Sequence, residues 1–116
     1  FREVLQEATP GQSQANDIDF LMAVGELFTL VVYAQLFLEG AAISALDEGI
    51  VDQAFDVFVR DFARHATTLH GKPTTTPQQA EYCLRMLQRP QADAGRFQRV
   101  WDEHVFAQRD VYEMRP

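Results

Sequence analysis

The fold of this chain is decided by residues 20–38, which read FLMAVGELFTLVVYAQLFL. These nineteen residues are interrupted only by Gly25, Glu26, Thr29 and Gln35. A helix of this composition is apolar on every face and has to be enclosed on all sides. Other helices of a water-soluble protein, a membrane or a second copy of the chain could enclose it, and the choice decides what kind of molecule this is.

A membrane is the first alternative, because about 20 apolar residues are enough to span the hydrocarbon core of a bilayer. The polar groups inside the run argue against it, since a carboxylate such as Glu26 costs roughly 2.5 to 3.5 kcal/mol at the centre of a membrane helix. The amphipathic helices in the rest of the chain also need an apolar partner. We therefore predict a fully buried central helix and no membrane partner.

Composition sets further bounds. With 116 residues, 47% of them hydrophobic, the chain fits one domain with a modest core. Its net charge of −7 repels the phosphates of nucleic acids, so we expect no nucleic-acid partner. The single cysteine, Cys83, cannot form an internal disulfide, which fits a cytoplasmic location. The chain starts with Phe1 and shows no secretory signal pattern, and we expect it to be a fragment of a longer protein.

The domain organisation follows from the breaks in the apolar pattern. Residues 1–8 are predicted to be the end of a preceding helix, and residues 12–15 a polar linker. Residues 16–116 are predicted to form a single helical domain, the C-terminal part of a longer chain. No strand pattern competes, so the expected fold is all-α, a bundle of about four to five helices around one fully buried central helix.

Four helices are predicted in the domain, the first from Asn16 or Asp17 to about Glu39 and the others at about residues 51–69, 78–89 and 92–110. The second of them carries an apolar stripe that should pack on the central helix: Val51, Phe55, Phe58, Phe62, Ala66 and Leu69. Gly71 is expected to end it in the left-handed conformation.

The two later helices are predicted to bury one side each. For residues 78–89 the predicted buried side chains are Ala80, Cys83 or Leu84, and Leu87. For residues 92–110 they are Phe97, Val100, Trp101, Val105 and Phe106.

Candidate catalytic groups are few. Asp61 and His65 lie four residues apart on a predicted helix and could form a carboxylate–imidazole pair, which we interpret as a surface ion pair because no Ser or Cys completes a nucleophilic set. His70 lies at a helix end, where a positive imidazole suits the dipole. We therefore predict no catalytic residue in this segment.

Metal and thiol chemistry are not expected either. His104 directly follows Glu103, and adjacent residues point in different directions on a helix. The Glu-x-x-His spacing of di-iron bundles is missing, and we predict no metal site. Cys83 is interpreted as a small buried hydrophobe.

The polar and aromatic residues of the apolar helices give the remaining local predictions. Tyr33 and Gln35, as polar groups within the predicted buried helix, need hydrogen-bond partners inside the protein. Gly25 can allow another helix to approach closely. Trp101 and the phenylalanines could line a ligand pocket, but aromatic residues at helical spacing are more often core.

Four stretches together resemble the C-terminal extension of long, actinobacterial-type acyl-CoA dehydrogenases: GELFTLVVYAQL (25–36), FDVFVRDF (55–62), LHGKP (69–73) and YEMRP (112–116). The resemblance covers roughly residues 17–116. It implies a flavoenzyme that oxidises an acyl-CoA thioester. FAD would accept a hydride from the thioester, and a carboxylate would accept a proton from it. The Tyr-Glu-Gly-Thr-like motif of the family's base is absent, because Met114-Arg115 follow Tyr112-Glu113, so that role is not assigned to Glu113.

The flavin contacts of that family have no counterpart here, so FAD and acyl-CoA would bind the parent enzyme and not this segment alone. The segment would then be structural or serve subunit assembly, with the rest of the parent chain or a homo-oligomer as its partner. A free-standing interaction or small hydrophobic ligand-binding module, of the type found in regulator effector domains, is the alternative. Its pocket would lie between the helices at residues 20–38 and 55–69.

Overall fold

A computed structural model describes residues 1–111 of the chain, and these residues form helices and no strand. The helices are α1 (Arg2–Glu7), α2 (Gln12–Ala15), α3 (Ile18–Ile43), α4 (Glu48–His70), α5 (Pro77–Arg85) and α6 (Ala94–Val100). A π-helical turn (Trp101–Val105) and a 3₁₀ turn (Phe106–Gln108) continue α6. The all-α prediction is confirmed. The molecule is elongated, with principal extents of 55 × 34 × 26 Å.

An antiparallel pair of long helices, α3 and α4, forms the body of the molecule. The Asp17 carboxylate caps α3 by accepting a hydrogen bond from the Phe20 backbone N–H at 3.1 Å. Asp47 caps α4 in the same way, because its carboxylate accepts a hydrogen bond from the Gly49 backbone N–H at 2.8 Å. These ends agree with the predicted helices to within a few residues. Gly71 ends α4 with φ −82°, so its predicted left-handed conformation is wrong.

Aromatic contacts, two of them edge-to-face and one tilted, join the two long helices away from the main core. Phe37 of α3 lies with its ring centroid 5.6 Å from that of Phe58 and 6.4 Å from that of Phe55, both on α4. Tyr33 meets Phe58 at 5.8 Å. Such pairs add about 0.5–1.5 kcal/mol beyond the area they bury. They account for Phe55 and Phe58 of the apolar stripe predicted on α4, whereas Ala66 and Leu69 of that stripe belong to the main core.

The core lies at one end of the α3–α4 pair, where α1 and α5 cover it. Its buried members come from all four helices or their ends: Val4, Ala8, Phe20, Ala23, Leu27, Ala66, Leu69, Tyr82, Cys83 and Met86. The predicted polar linker at residues 12–15 is the short helix α2, and its Gln14 is buried. Residues 1–15 therefore pack into the same core as the long helices.

Full burial of the central helix does not occur within the described chain. In α3 only Phe20, Ala23, Leu27 and Ala41 are buried, and just 11% of its most hydrophobic 18-residue window is enclosed. The physical reason is length, since α1 and α5 have 6 and 9 residues whereas α3 has 26. They reach only the N-terminal half of α3, and α4 covers one side.

The short helix α5 differs from its prediction in both length and register. It ends at Arg85 instead of Arg89, and the residues it buries are Gln79, Tyr82 and Cys83. Cys83 was among the predicted buried residues, but Leu84 and Leu87 are exposed. The buried side of α5, which runs through Gln79 and Tyr82, is rotated by about one residue from the predicted side. The buried hydrogen bonds of Gln79 fix this orientation of the helix.

The last helical segment also turns most of its predicted apolar side outward, and of the five residues only Val100 is half-buried. Phe97, Trp101, Val105 and Phe106 are all exposed. A polar contact orients this segment instead, because the Arg96 guanidinium pairs with the Asp56 carboxylate and donates to Gln53 at 3.2 Å. The predicted burial of these four side chains is wrong for the described chain.

The cap of α3 makes stability depend on pH. The Thr74 hydroxyl donates to Asp17 at 2.7 Å and, with the Phe20 N–H, holds the pKa of the Asp17 carboxyl below its ordinary value of 3.8. A carboxyl with a lowered pKa in the folded state stabilises the fold above its unfolded pKa, and this contribution is lost as the pH falls through the folded value.

We expect the free energy of unfolding of the wild type to fall more steeply below about pH 4 than that of Asp17→Asn, which retains a cap but does not titrate. Urea unfolding at several pH values measures this. Thr74→Val should reduce the slope, and superimposable pH profiles of wild type and Asp17→Asn would contradict the assignment.

Candidate interaction surface on the long helix

Two apolar stripes run along opposite sides of α3. The inner stripe faces α4 and consists of Phe20, Ala23, Leu27, Leu30, Ala34, Phe37 and Ala41. The outer stripe consists of Ile18, Leu21, Gly25, Phe28, Val32, Leu36, Gly40 and Ile43. Both recur every three or four residues, and at about 100° of rotation per residue they lie on roughly opposite faces. The second stripe is why the sequence predicts an apolar helix on every side.

The outer stripe is open in the described chain. Its large side chains are 39% to 86% exposed, with Val32 the least and Ile43 the most exposed. A Cβ added at Gly25 or Gly40 meets no atom within 4 Å. The predicted close approach at Gly25 is therefore not made by any helix among residues 1–111. A long contiguous apolar surface of this kind marks an interaction site in a soluble protein.

An apolar groove of about 390 Å³ lies between α3 and α4. Its walls are Leu30, Val31, Ala34 and Leu38 from α3 and Phe55, Phe58, Val59 and Phe62 from α4, with Gln35 and Gln88 as its polar groups. The size is within the range of small-molecule sites. This is the place where the ligand-binding alternative puts its pocket. Trp101 does not line it and stacks on Phe97 at a centroid distance of 6.3 Å.

A histidine–carboxylate pair lies on another edge of the α3–α4 seam. His65 Nδ1 is 2.8 Å from Glu26 Oε2, so the partner of His65 is on the neighbouring helix. Asp61 instead lies 3.7 Å from Arg64, and the predicted Asp61–His65 pair is wrong. Spacing along one helix could not reveal a partner on another helix.

The surroundings of this pair favour a structural role. A pocket of about 480 Å³ beside it is lined by Met22, Gly25, Glu26, Thr29, Leu30, Tyr33 and His65. A carboxylate–imidazole pair can orient a base. The hydroxyl groups of this pocket belong to Thr29 and Tyr33, and among the described residues neither is hydrogen-bonded to His65, whose ring bonds to Glu26. The bond links α3 to α4 at the point where the inner stripe leaves the core.

The other histidines and the cysteine are placed apart from one another. His70 is exposed at the last position of α4, the predicted helix end. His104 Nε2 lies 3.7 Å from Asp47 and 3.9 Å from Glu103, and has no hydrogen-bond partner among the described residues. Cys83 is fully buried, and burial raises the pKa of its thiol, as suits a small hydrophobe. Residues 1–111 contain no cluster of three metal-ligating side chains.

Tyr33 and Gln35 do not need the internal partners that were predicted for them. Tyr33 is exposed, and Gln35 Nε2 donates to Glu39 Oε1 at 3.2 Å along the same exposed helix surface. Both predictions rested on full burial of α3. Glu113, in the motif at residues 112–116, lies outside the described residues.

Comparisons of the chain with protein-family models, with curated proteins and with solved structures find no match. The geometry of α3 is therefore the main guide to function. By length and composition alone α3 could also cross a membrane; mostly buried core helices of soluble proteins share this property, but only 11% of the most apolar window of α3 is buried.

Proposed function

We propose that this chain is a non-catalytic helical assembly domain whose outer α3 stripe is covered by protein in the working molecule. The open apolar stripe along α3 is the observation that carries the proposal. Covering it would complete the fully buried central helix that the sequence predicts. The domain would act by joining protein surfaces, and its own residues would carry out no bond-making step.

The contacts between α3 and α4 favour a protein cover over a membrane. Helix α4 lies antiparallel against α3, held by the Phe37–Phe58 contact and the Glu26–His65 bond. Insertion of α3 into a bilayer would have to break these contacts or carry α4 with it. The outward side of α4 bears Asp52, Arg60 and Arg64, and charged side chains are costly in hydrocarbon.

The proposed setting is a cytoplasmic FAD-dependent acyl-CoA dehydrogenase, and its support is the sequence resemblance of residues 17–116. In that enzyme the flavin, the catalytic base and the acyl-CoA site for α,β-oxidation would lie in the rest of the parent chain. This domain would contribute stability or subunit assembly through the outer stripe.

Visible absorption of the longer parent protein tests the enzymatic setting. We expect a flavin band that acyl-CoA bleaches, because hydride transfer reduces FAD. A parent lacking residues 17–116 should keep flavin chemistry but lose assembly or stability. In the full-length parent, Leu36→Glu should lower the oligomeric mass, whereas Val57→Glu on exposed α4 should not. A colourless parent that does not respond to acyl-CoA would contradict the enzymatic setting.

The second candidate is a small hydrophobic ligand-binding module, which the groove between α3 and α4 favours. Titration of the purified chain with a fluorescent fatty-acid probe tests it. Saturable binding that Ala34→Trp removes by filling the groove, and that Thr67→Trp on exposed α4 leaves intact, would support the module. Lack of saturable binding would leave assembly as the better account.

A further inference from the structure

We infer that the outer stripe pairs with the same stripe of a second copy of this chain, with the two α3 helices antiparallel about a two-fold axis near residues 30 and 31. This inference rests on the proposed function and names the partner. A two-fold interface places the same surface on both copies, so the stripe has to complement itself. The two glycines and the leucines of the stripe meet that condition, and the charged residues beside it allow it.

The pairing register follows from the sequence of the stripe. With the axis between residues 30 and 31, Ile18 is level with Ile43 of the second copy, so α3 overlaps over its whole length of about 39 Å. Gly25 is then level with Leu36, and both lie near the centre of the stripe. The open space at Gly25 can accept the leucine side chain of the other copy.

Two further positions agree with this register. Leu21 is level with Gly40, the second open glycine of the stripe, and Val32 is level with the small Thr29. At these positions a large residue lies at the height of a small one, whereas Ile18 is level with Ile43 at the ends of the stripe and Phe28 is level with Tyr33. A parallel pairing in register would instead set glycine level with glycine and leucine level with leucine, leaving gaps and bulges along the same face.

The charges favour the antiparallel arrangement as well. The charged residues of α3 are Asp19, Glu26 and Glu39, all negative. In the antiparallel register they are level with Ala42, Gln35 and Met22 of the second copy. Since Glu26 of the second copy is level with Gln35, it lies nine helix positions, or about 13 Å along the helix axis, from Glu26 of the first copy. A parallel pairing would set every carboxylate level with its own equivalent.

Disulfide trapping tests the register on the intact chain. Ile18→Cys and Ile43→Cys place thiols at the two highly exposed ends of the stripe, and the native Cys83 is fully buried. Under mild oxidation, a mixture of the two variants should give a covalent heterodimer within minutes. Each variant alone should give at least tenfold less dimer. Rapid Ile18→Cys self-linking would contradict the antiparallel register while leaving self-association intact.

A second variant separates loss of pairing from loss of folding. Gly25→Leu meets no atom of its own chain, and leucine is a better helix former than glycine, so the fold should be retained. It blocks the space for Leu36 of the second copy. We expect the dissociation constant of the dimer to rise at least tenfold, with unchanged helical circular dichroism, and Thr67→Leu on α4 to have no effect.

The outcomes distinguish the inference from the function on which it rests. If the wild-type chain stays monomeric but another segment of the parent protein covers its outer stripe, only the two-copy inference is overturned. A folded chain that is monomeric, and whose stripe is uncovered in the parent as well, overturns both. Association with phospholipid vesicles that Leu36→Glu abolishes would mean that a membrane is the cover.

Discussion

Phe20→Ala is expected to cost about 3–5 kcal/mol of unfolding free energy, a large part of the 5–15 kcal/mol typical of a small domain. Phe20 is completely buried at the first turn of α3, among residues from α1, α4 and α5. Its removal leaves a cavity where the four helices meet. Urea unfolding followed by circular dichroism measures the loss.

The matched control is Phe28→Ala, on the same helix with the same chemical change. Phe28 is 55% exposed on the outer stripe, so we expect a cost of about 1 kcal/mol or less in dilute, monomeric protein. At higher concentration the same variant should weaken association. Equal losses of unfolding free energy for the two variants would contradict the division of α3 into a core side and an assembly side.

Gln79→Leu is expected to cost about 3 kcal/mol, because it removes the partner of the buried Ala8 carbonyl and both hydrogen bonds to the buried Gln14 amide. Gln79 is 1% exposed, and its Nε2 donates to the Ala8 carbonyl at 2.9 Å. Its Oε1 accepts from Gln14 Nε2 at 2.7 Å and from the Thr76 N–H at 3.0 Å. This one side chain therefore holds α1, α2 and the cap of α5 together.

The control for Gln79→Leu is Gln12→Leu, an exposed position on α2 for which we expect a change within about 0.5 kcal/mol. The double variant Gln14→Leu with Gln79→Leu should cost less than the sum of the single changes, since fewer orphaned groups remain. Strict additivity of the two single losses in urea unfolding would show that the two amides are not coupled.

The long helices could be predicted from the sequence because their signals are local. Asp17 is a capping residue before an apolar run, and Thr76-Pro77 starts α5 with a cap and a proline at the first helical position. The stripe from Val51 to Leu69 recurs at helical spacing. These features need no knowledge of distant residues, and the structure confirms the helices that they predict.

The errors concern residues whose environment is set by distant parts of the chain. The register of α5 depends on Gln79 finding Gln14, 65 positions away, and the partner of His65 is Glu26, 39 positions away. The apolar composition of α3 predicts that its surface is buried, but it does not identify the protein segment that buries it. The same limit applies to Phe97 and Trp101, which helical spacing predicts as core and which the structure exposes.

Hydroxyl-radical footprinting of methionines tests the central claim, that protein covers the outer side of α3, most directly. Met22 flanks the outer stripe and is 64% exposed in the single chain, whereas Met86 is 7% exposed in the core. In the native, detergent-free assembled protein we expect Met22 to be oxidised as slowly as Met86, and Leu36→Glu to restore fast oxidation of Met22 alone. Fast oxidation of Met22 in the native wild-type protein would contradict the account.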